Sequence, residues 1–457
     1  MSSLLVMQFA GCSQDGPKPE SGTSLTGEIT VIKLGDIISV TGRGATVHGN
    51  TVSISAAGNY SVSGTLREGQ IVVDVKNVTV NLELAGANIT NSSGSAIHVK
   101  NAGMTNVILL EGTENSLEDG ANYLDDSMKA ALFSEDSLTI SGDGALNVTG
   151  RYKHGIAGSD GLTVQGGKIT VVSAVTDGFH ANDSIKIDGG DISINAASDG
   201  IESELDFEIN GGALDISAGD DGIHAETSLT VNGGKISVTR SCEGLEGNAE
   251  VIINDGEIRL KCDDDSINAG KAMTINGGYI YAECEGDGVD SNGNLTINGG
   301  TIIIFSGDNA NGPIDFGDGV DHAFYMNGGT VIAAGGNMGV TVSDDSKQHS
   351  MWIASKLPAG TLVNVSESSG DETVTFSLVK SASLIFYSSD KLAGNADYTV
   401  STGGTHSGKF VDNVYSGGVY SGETVFGGVK MSAKSVTLGT PGGMGGWNDF
   451  GGDGGRR

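Results

Sequence analysis

The sequence predicts an all-β fold, a right-handed parallel β-helix built as a three-sheet solenoid of about 22 residues per coil, with a β-rich C-terminal region. Three observations carry this. First, Asp177-Gly178-Phe179-His180-Ala181 returns every 22 residues, as Asp199-Gly200-Ile201-Glu202-Ser203, Asp221-Gly222-Ile223-His224-Ala225, Glu243-Gly244-Leu245-Glu246-Gly247, Asp265-Ser266-Ile267-Asn268-Ala269 and Asp287-Gly288-Val289-Asp290-Ser291. Second, three short runs per repeat alternate apolar and polar, as in Ile223-His224-Ala225, Leu229-Thr230-Val231 and Ile236-Ser237-Val238. Such alternation reads as half-buried strands. Third, a Gly pair turns the chain at 166–167, 189–190, 211–212, 233–234, 277–278, 299–300 and 328–329, with Asp255-Gly256 once in its place. Paired glycines imply positive φ in a tight corner.

The elements follow in order. Residues 1–27 read as a lipoprotein-like signal and tether. Leu4 to Ala10 is apolar and leads into Gly11-Cys12, the pattern of a Cys lipidated after cleavage, and a Ser/Gly/Pro-rich stretch follows. No Lys or Arg precedes Cys12, so the charged start of such a signal would lie upstream of these residues. Residues 28–150 read as an N-terminal cap and irregular coils, because an open solenoid end invites edge pairing. Residues 151–335 are the regular 22-residue repeat, 336–438 alternate without a period, and 439–457 are a Gly-rich disordered tail.

The inward columns follow from the register. One holds Ile156, Phe179, Ile201, Ile223, Leu245, Ile267, Val289 and Val320; another holds Ile192, Leu214, Ile236, Ile258, Ile280 and Ile302. A third is small: Ala196, Ala218, Cys262, Cys284 and Ser306. Arg240 breaks it, so the chain bulges there or the guanidinium meets an acidic partner. Cys262 and Cys284 are column neighbours about 5 Å apart, which allows either a disulfide or two stacked free thiols.

The net charge of −32 argues against nucleic acid or an anionic membrane as a direct partner. No apolar run spans a bilayer. The residue before the repeat Gly is Asp177, Asp199, Asp221, Glu243, Asp265, Asp287 and Asp318. Coils about 4.8 Å apart place like charges where repulsion is about 1 kcal/mol each in bulk water and larger where water is excluded. Asp-Gly is also an ordinary turn pair, so the column has a purely structural explanation. Turn chemistry needs only one of Asp263-Asp264-Asp265, however. Hard oxygen ligands from several directions suit Ca²⁺, more than one ion of it, and the densest group is Asp220, Asp221, Glu243, Asp263, Asp264, Asp265, Glu285 and Asp287. His180 and His224 lie two coils apart and read as surface histidines.

Gly112-Thr113-Glu114-Asn115, the Leu-Thr-Val/Ile-x-Gly-Gly turns, the Asp-Gly-Ile/Val corners and Val374-Thr375-Phe376, Tyr398-Thr399-Val400 and Gly403-Gly404 occur in sequence order. In these the chain, over most of residues 50–438, resembles bacterial exported carbohydrate-binding β-helix proteins described as polysaccharide-lyase-like. The resemblance implies Ca²⁺ binding and affinity for plant-type or acidic polysaccharide, polygalacturonate- or cellulose-like. With the Cys12 signal, the expectation is a monomeric exported surface lipoprotein attached through Cys12. A chain this acidic holds a uronate polymer only if a cation bridges the carboxylates. One alternative is an active Ca²⁺-dependent pectate lyase, with Arg240, Lys261 or Lys153 as the base; none sits in a lyase motif, so the reading leans against an enzyme. A further alternative is a structural or adhesive solenoid. A second sugar surface is expected at Arg259, Lys261, Tyr281 and Phe305, facing outward on the third sheet. The insertion Ser306 to Gly317 is expected to overhang one of the two surfaces.

Overall fold

The computed structural model describes residues 25, 27–308, 310–317 and 321–440. Cys12, Asp318, Val320 and nearly all of the Gly-rich tail lie outside them. The described residues are all β, with no helix, and wind into a parallel β-solenoid of about 11 turns of about 23 residues each. A regular coil contributes one strand to each of three parallel columns. For the coil after Gly222 these are Ile223–Ala225, Ser228–Val231 and Lys235–Arg240, on the first, second and third sheets. The first sheet has twelve strands, from Ala45–His48 to Asp290–Ser291. The second and third columns join into one continuous sheet near the N-terminal end. There Thr79–Asn91 bends round a corner, pairing with Met104–Leu109 through its first half and with Glu114–Asp119 through its second.

The inward columns stack in register. Ile156, Phe179, Ile201, Ile223, Leu245 and Ile267 face one another coil by coil and have no exposed surface. Ile192, Leu214, Ile236, Ile258, Ile280 and Ile302 do the same on the third sheet. Each such side chain contributes roughly 1.5–3 kcal/mol. The second glycine of each turn pair carries the left-handed conformation, with φ between +86° and +122° from Gly167 to Gly329. The corner glycines are required for space instead: a Cβ on Gly200 would run into the Ile216 side chain and the Gly222 carbonyl.

Arg240 is resolved by a bulge. Pairing slips between Ile216 and Ser217, so that Ser217 faces Arg240, whose side chain is exposed, and Ser241 enters the small column, 2% exposed. Cys262 and Cys284 are free thiols. Along the turn after the second sheet runs a ladder of amides. Asn232 Nδ2 donates to Asn210 Oδ1 at 2.8 Å, Asn254 to Asn232, Asn276 to Asn254, Asn298 to Asn276 and Asn327 to Asn298, and Asn210 itself donates to Asp188.

Beyond Thr330–Gly335 the third sheet turns antiparallel through Ala382–Ser388 and Ser350–Leu357. Trp352 and Phe386, with centroids 4.8 Å apart, close the end of the core against Phe324. A separate six-stranded antiparallel sheet, which includes Leu362–Glu367, Glu372–Ser377 and Asp397–Thr402, lies over the outer face of the third sheet. This corrects the expectation of a sugar surface there. Phe305 is 1% exposed beneath that cover. Arg259 donates to both carboxylate oxygens of Asp412 at 3.0 and 2.9 Å, and the Tyr281 hydroxyl is taken by Glu283 and Asn413. Of the four residues, Lys261 alone stays exposed.

Candidate functional site

Two rows of polar side chains run along the first sheet. The corner row, just before each strand, is His154, Asp177, Asp199, Asp221, Glu243, Asp265 and Asp287; His154 aligns with Asp177 because Ile156 pairs with Phe179. The second row, each residue following an inward apolar one, is His180, Glu202, His224, Glu246, Asn268 and Asp290, with Ala157 ahead of it in register. Acid and imidazole alternate along its middle.

The corner carboxylates are not on the surface. Asp177, Asp199, Asp221 and Asp287 are 3–9% exposed. Each turns toward the following coil and accepts a backbone N–H. Asp221 N donates to Asp199 Oδ1 at 2.9 Å, Glu243 N to Asp221 Oδ1 at 3.2 Å, Asp287 N to Asp265 Oδ1 at 2.6 Å, and Gly312 N to Asp287. The turn role of these aspartates is therefore real, but it reaches across coils rather than along the chain. The insertion folds onto this row: Asp315 N donates to the Val289 carbonyl and Gly317 N to that of Gly293.

Burial with like charges alongside makes ionisation costly here. Burial pushes Asp199, Asp221 and Asp287 up to about 7 and Asp265 up to about 6. A hydrogen bond to Asp221, then burial, pushes Glu243 up to about 8. Two carboxyls joined by a hydrogen bond share a proton, an arrangement that a divalent cation can replace. Asp220, Asp221 and Glu243 bring ligand atoms within 4.8 Å of one another and of Cys242 Sγ. Burial first, then Glu243 and its acidic neighbours, push the Cys242 thiol up to about 12. Asp264 acts on Glu243, and the carboxylates of Asp264 and Asp265 meet over Gly286, where a Cβ would collide with both. Among the described residues no Lys or Arg pairs with Asp220, Asp221, Glu243, Asp264 or Asp265. These oxygens fit a hard cation such as Ca²⁺.

The remaining residues of the sequence set divide. Asp263 is exposed at the rim. Glu285 instead meets Lys380 of the C-terminal region at 2.9 Å. Asp287 lies with Asp265 and Asp315, a partner the sequence reading did not include. Arg240 and Lys261 are exposed at the ends of third-sheet strands, and Lys153 lies 5.5 Å from the Tyr152 ring centre.

Of the two histidines expected at the surface, His224 is half-buried and His180 is buried. His180 is 7% exposed, with Nδ1 2.9 Å from Glu202 and 3.2 Å from Asp177. Burial would lower His180, but hydrogen bonds to Asp177 and Glu202 outweigh it and raise it to about 9. Burial would raise Asp177, and hydrogen bonds from His154 and His180 hold it far below the usual carboxylate range. His154, lowered mainly by burial, escaped the sequence reading because it stands where the repeat has Asp. His154-Gly155 in place of Asp-Gly was the available signal. At the N-terminal end of the same face is an open cleft of about 510 Å³ whose lining includes Glu68, Gln70, Asn91, His98, Lys100 and Asp125.

A model of the carbohydrate-binding domain-containing protein family matches residues 48–312. A carbohydrate-binding domain-containing protein of Acetivibrio thermocellus is 35% identical over 179 residues, 37% of this chain and 62% of that protein, so the match spans less than two thirds of the relative's length. Among solved structures, a polysaccharide lyase-like protein from C. thermocellum, a gadolinium derivative, is 30% identical; the match covers 56% of this chain and 94% of that one, with a TM-score of 0.44.

Proposed function

The chain belongs to the carbohydrate-binding domain-containing family, and from that membership we propose that it is a calcium-dependent carbohydrate-binding surface protein for acidic or plant-type polysaccharide. The carrying observation is the group Asp220, Asp221, Glu243, Asp264 and Asp265, whose charge no Lys or Arg among the described residues offsets. In this reading those residues hold Ca²⁺, which supplies the positive charge that a uronate carboxylate needs at so acidic a surface. The first sheet presents the polymer with a row of polar side chains from His180 to Asp290, separated by Ala157 and Phe133 from the cleft beside Lys100 and His98. Export and a lipid at Cys12 complete the proposal, placing the solenoid on the cell envelope.

Turnover is the competing reading, favoured only by the exposure of Arg240 and Lys261 near the carboxylates. One experiment addresses both. The purified chain is titrated calorimetrically with Ca²⁺ and then with oligogalacturonate, while ultraviolet absorbance reports unsaturated product. Sugar binding that needs Ca²⁺, with flat absorbance, supports the binding protein. Rising absorbance that Lys261→Ala or Arg240→Ala abolishes makes it a lyase. No response to Ca²⁺, in a chain that still folds, overturns the proposal.

A further inference from the structure

The N-terminal end of the corner row contains a second ligand-type cluster of different chemistry. His154 Nδ1 lies 2.8 Å from Asp177 Oδ2, and His180 Nδ1 lies 3.2 Å from the same oxygen. The side chains of all three are 9% exposed or less. The imidazole rings stack, with centroids 4.3 Å apart and planes 19° apart. Glu202 Oε2 stands 2.9 Å from His180 Nδ1. Four side chains from three successive coils thus converge, each carried by a first-sheet strand or its leading corner.

Three features point beyond an ion-pair network. The donor set is two imidazole nitrogens and a carboxylate, which suits a borderline cation better than the hard ion proposed for the carboxylate-rich cluster. The spacing fits as well. Donors about 2.0–2.1 Å from a tetrahedral ion lie roughly 3.3 Å from one another, and the contacts to Asp177 Oδ2 are 2.8 and 3.2 Å, with all three ligand atoms within 4.8 Å. Finally, a carboxylate stands near the ring nitrogen of His180 that faces away: Nε2 lies 3.6 Å from Glu204 Oε1, an ion-pair rather than a hydrogen-bond distance. A carboxylate on the free nitrogen is the usual outer support of a metal-bound imidazole, fixing its tautomer and orientation.

We infer that His154, Asp177 and His180, with Glu202 beside the fourth position, form a binding site for a zinc-class divalent transition metal. The site shares no residue with the proposed calcium cluster and does not depend on it. Such an ion would tie three coils together through side chains, in addition to the backbone pairing that already joins them.

The test uses the full chain, stripped of metal with a chelator that is then removed. Co²⁺ is added at neutral pH and visible absorption is recorded, after which Zn²⁺ is added as competitor. The expected result is one equivalent of Co²⁺ with the intense spectrum of a tetrahedral ion, abolished by Zn²⁺. His154→Gln and His180→Gln should lose the band. Glu202 is itself only half-buried and Gln keeps its shape, so Glu202→Gln reads the site even if a histidine variant fails to fold; it should weaken Co²⁺ by about ten-fold or more. The Ca²⁺ titration should be unchanged in all three if folded. A weak octahedral spectrum, no Co²⁺ binding, or an unchanged band in His180→Gln would each overturn the assignment and leave the cluster as ion pairs that steady the stack.

Discussion

Asp221→Asn separates the two roles of the corner carboxylates, because asparagine keeps the acceptor and removes the charge. Its Oδ1 can still take the Glu243 N–H, 3.2 Å away in the native corner, and its amide can donate to the Glu243 carboxylate. Burial, 7% exposure here, pushes the native carboxyl from 3.8 to about 7. At about 1.4 kcal/mol per unit, holding it ionised in the metal-free fold costs at most roughly 4 kcal/mol. An imperfectly paired buried amide costs on the order of 1–2 kcal/mol, so the variant should be about 2–3 kcal/mol more stable than the native chain in chelator above the folded pKa. The folded pKa lies above the unfolded one. The native chain therefore has its full stability below about 3.8 and loses it as pH rises through about 7. The advantage of the variant should accordingly be absent near the unfolded pKa and largest above the folded one. Thermal unfolding followed by circular dichroism across this range, in chelator, measures it. Saturating Ca²⁺ should reverse the sign, since the native chain gains a ligand that the variant binds poorly. A variant destabilised by the same amount at both ends of the range, in chelator, would refute the reasoning and leave Asp221 as a backbone acceptor only.

Three further outcomes can be measured. Asp264→Asn with Asp265→Asn should weaken calorimetric Ca²⁺ binding by about ten-fold or more while leaving the fold intact, because Asp264 is exposed and Asp265 keeps an Oδ1 acceptor for Asp287 N. Gly200→Ala should destabilise by about 1–3 kcal/mol in chemical unfolding, since its Cβ collides with Ile216 and the Gly222 carbonyl in two neighbouring coils. Asp412→Ala should leave Arg259 with Glu257 alone and free the Tyr279 hydroxyl, costing about 1–3 kcal/mol and speeding limited proteolysis of the C-terminal sheet before that of the coils.

The coil was legible because a fixed period aligns every residue with its neighbour above and below. Phe179, Ile201 and Ile223 could be stacked from spacing alone, and they are stacked. Arg240 was legible as a fault, and the bulge that absorbs it was one of the two outcomes its position allowed. The burial of Asp199 and Asp221 was not legible, because a charged residue at a turn reads as surface unless the partner is known. That partner is an N–H 22 residues on, which composition does not encode. His154 was missed although spacing had already stacked Ile156 on Phe179, because a histidine stands there where the repeat has an acidic residue. The cover over Phe305 could not be inferred because residues beyond 336 carry no period to register them against the third sheet.

The asparagine ladder gives the molecule a freedom in length. Every rung from Asn210 to Asn327 offers a donor toward one neighbour and an acceptor toward the other, always in the same sense. A whole coil removed from the middle would leave the flanking rungs able to rejoin without any other change, and a whole coil inserted would be accepted at both faces. A single reversed amide would instead set donor against donor on one side and oxygen against oxygen on the other, so the ladder has one polarity throughout and ends on a carboxylate, Asp188. Coil number can thus drift by duplication or loss while the pitch stays fixed, and the length of the polar face is set by counting copies rather than by redesigning contacts.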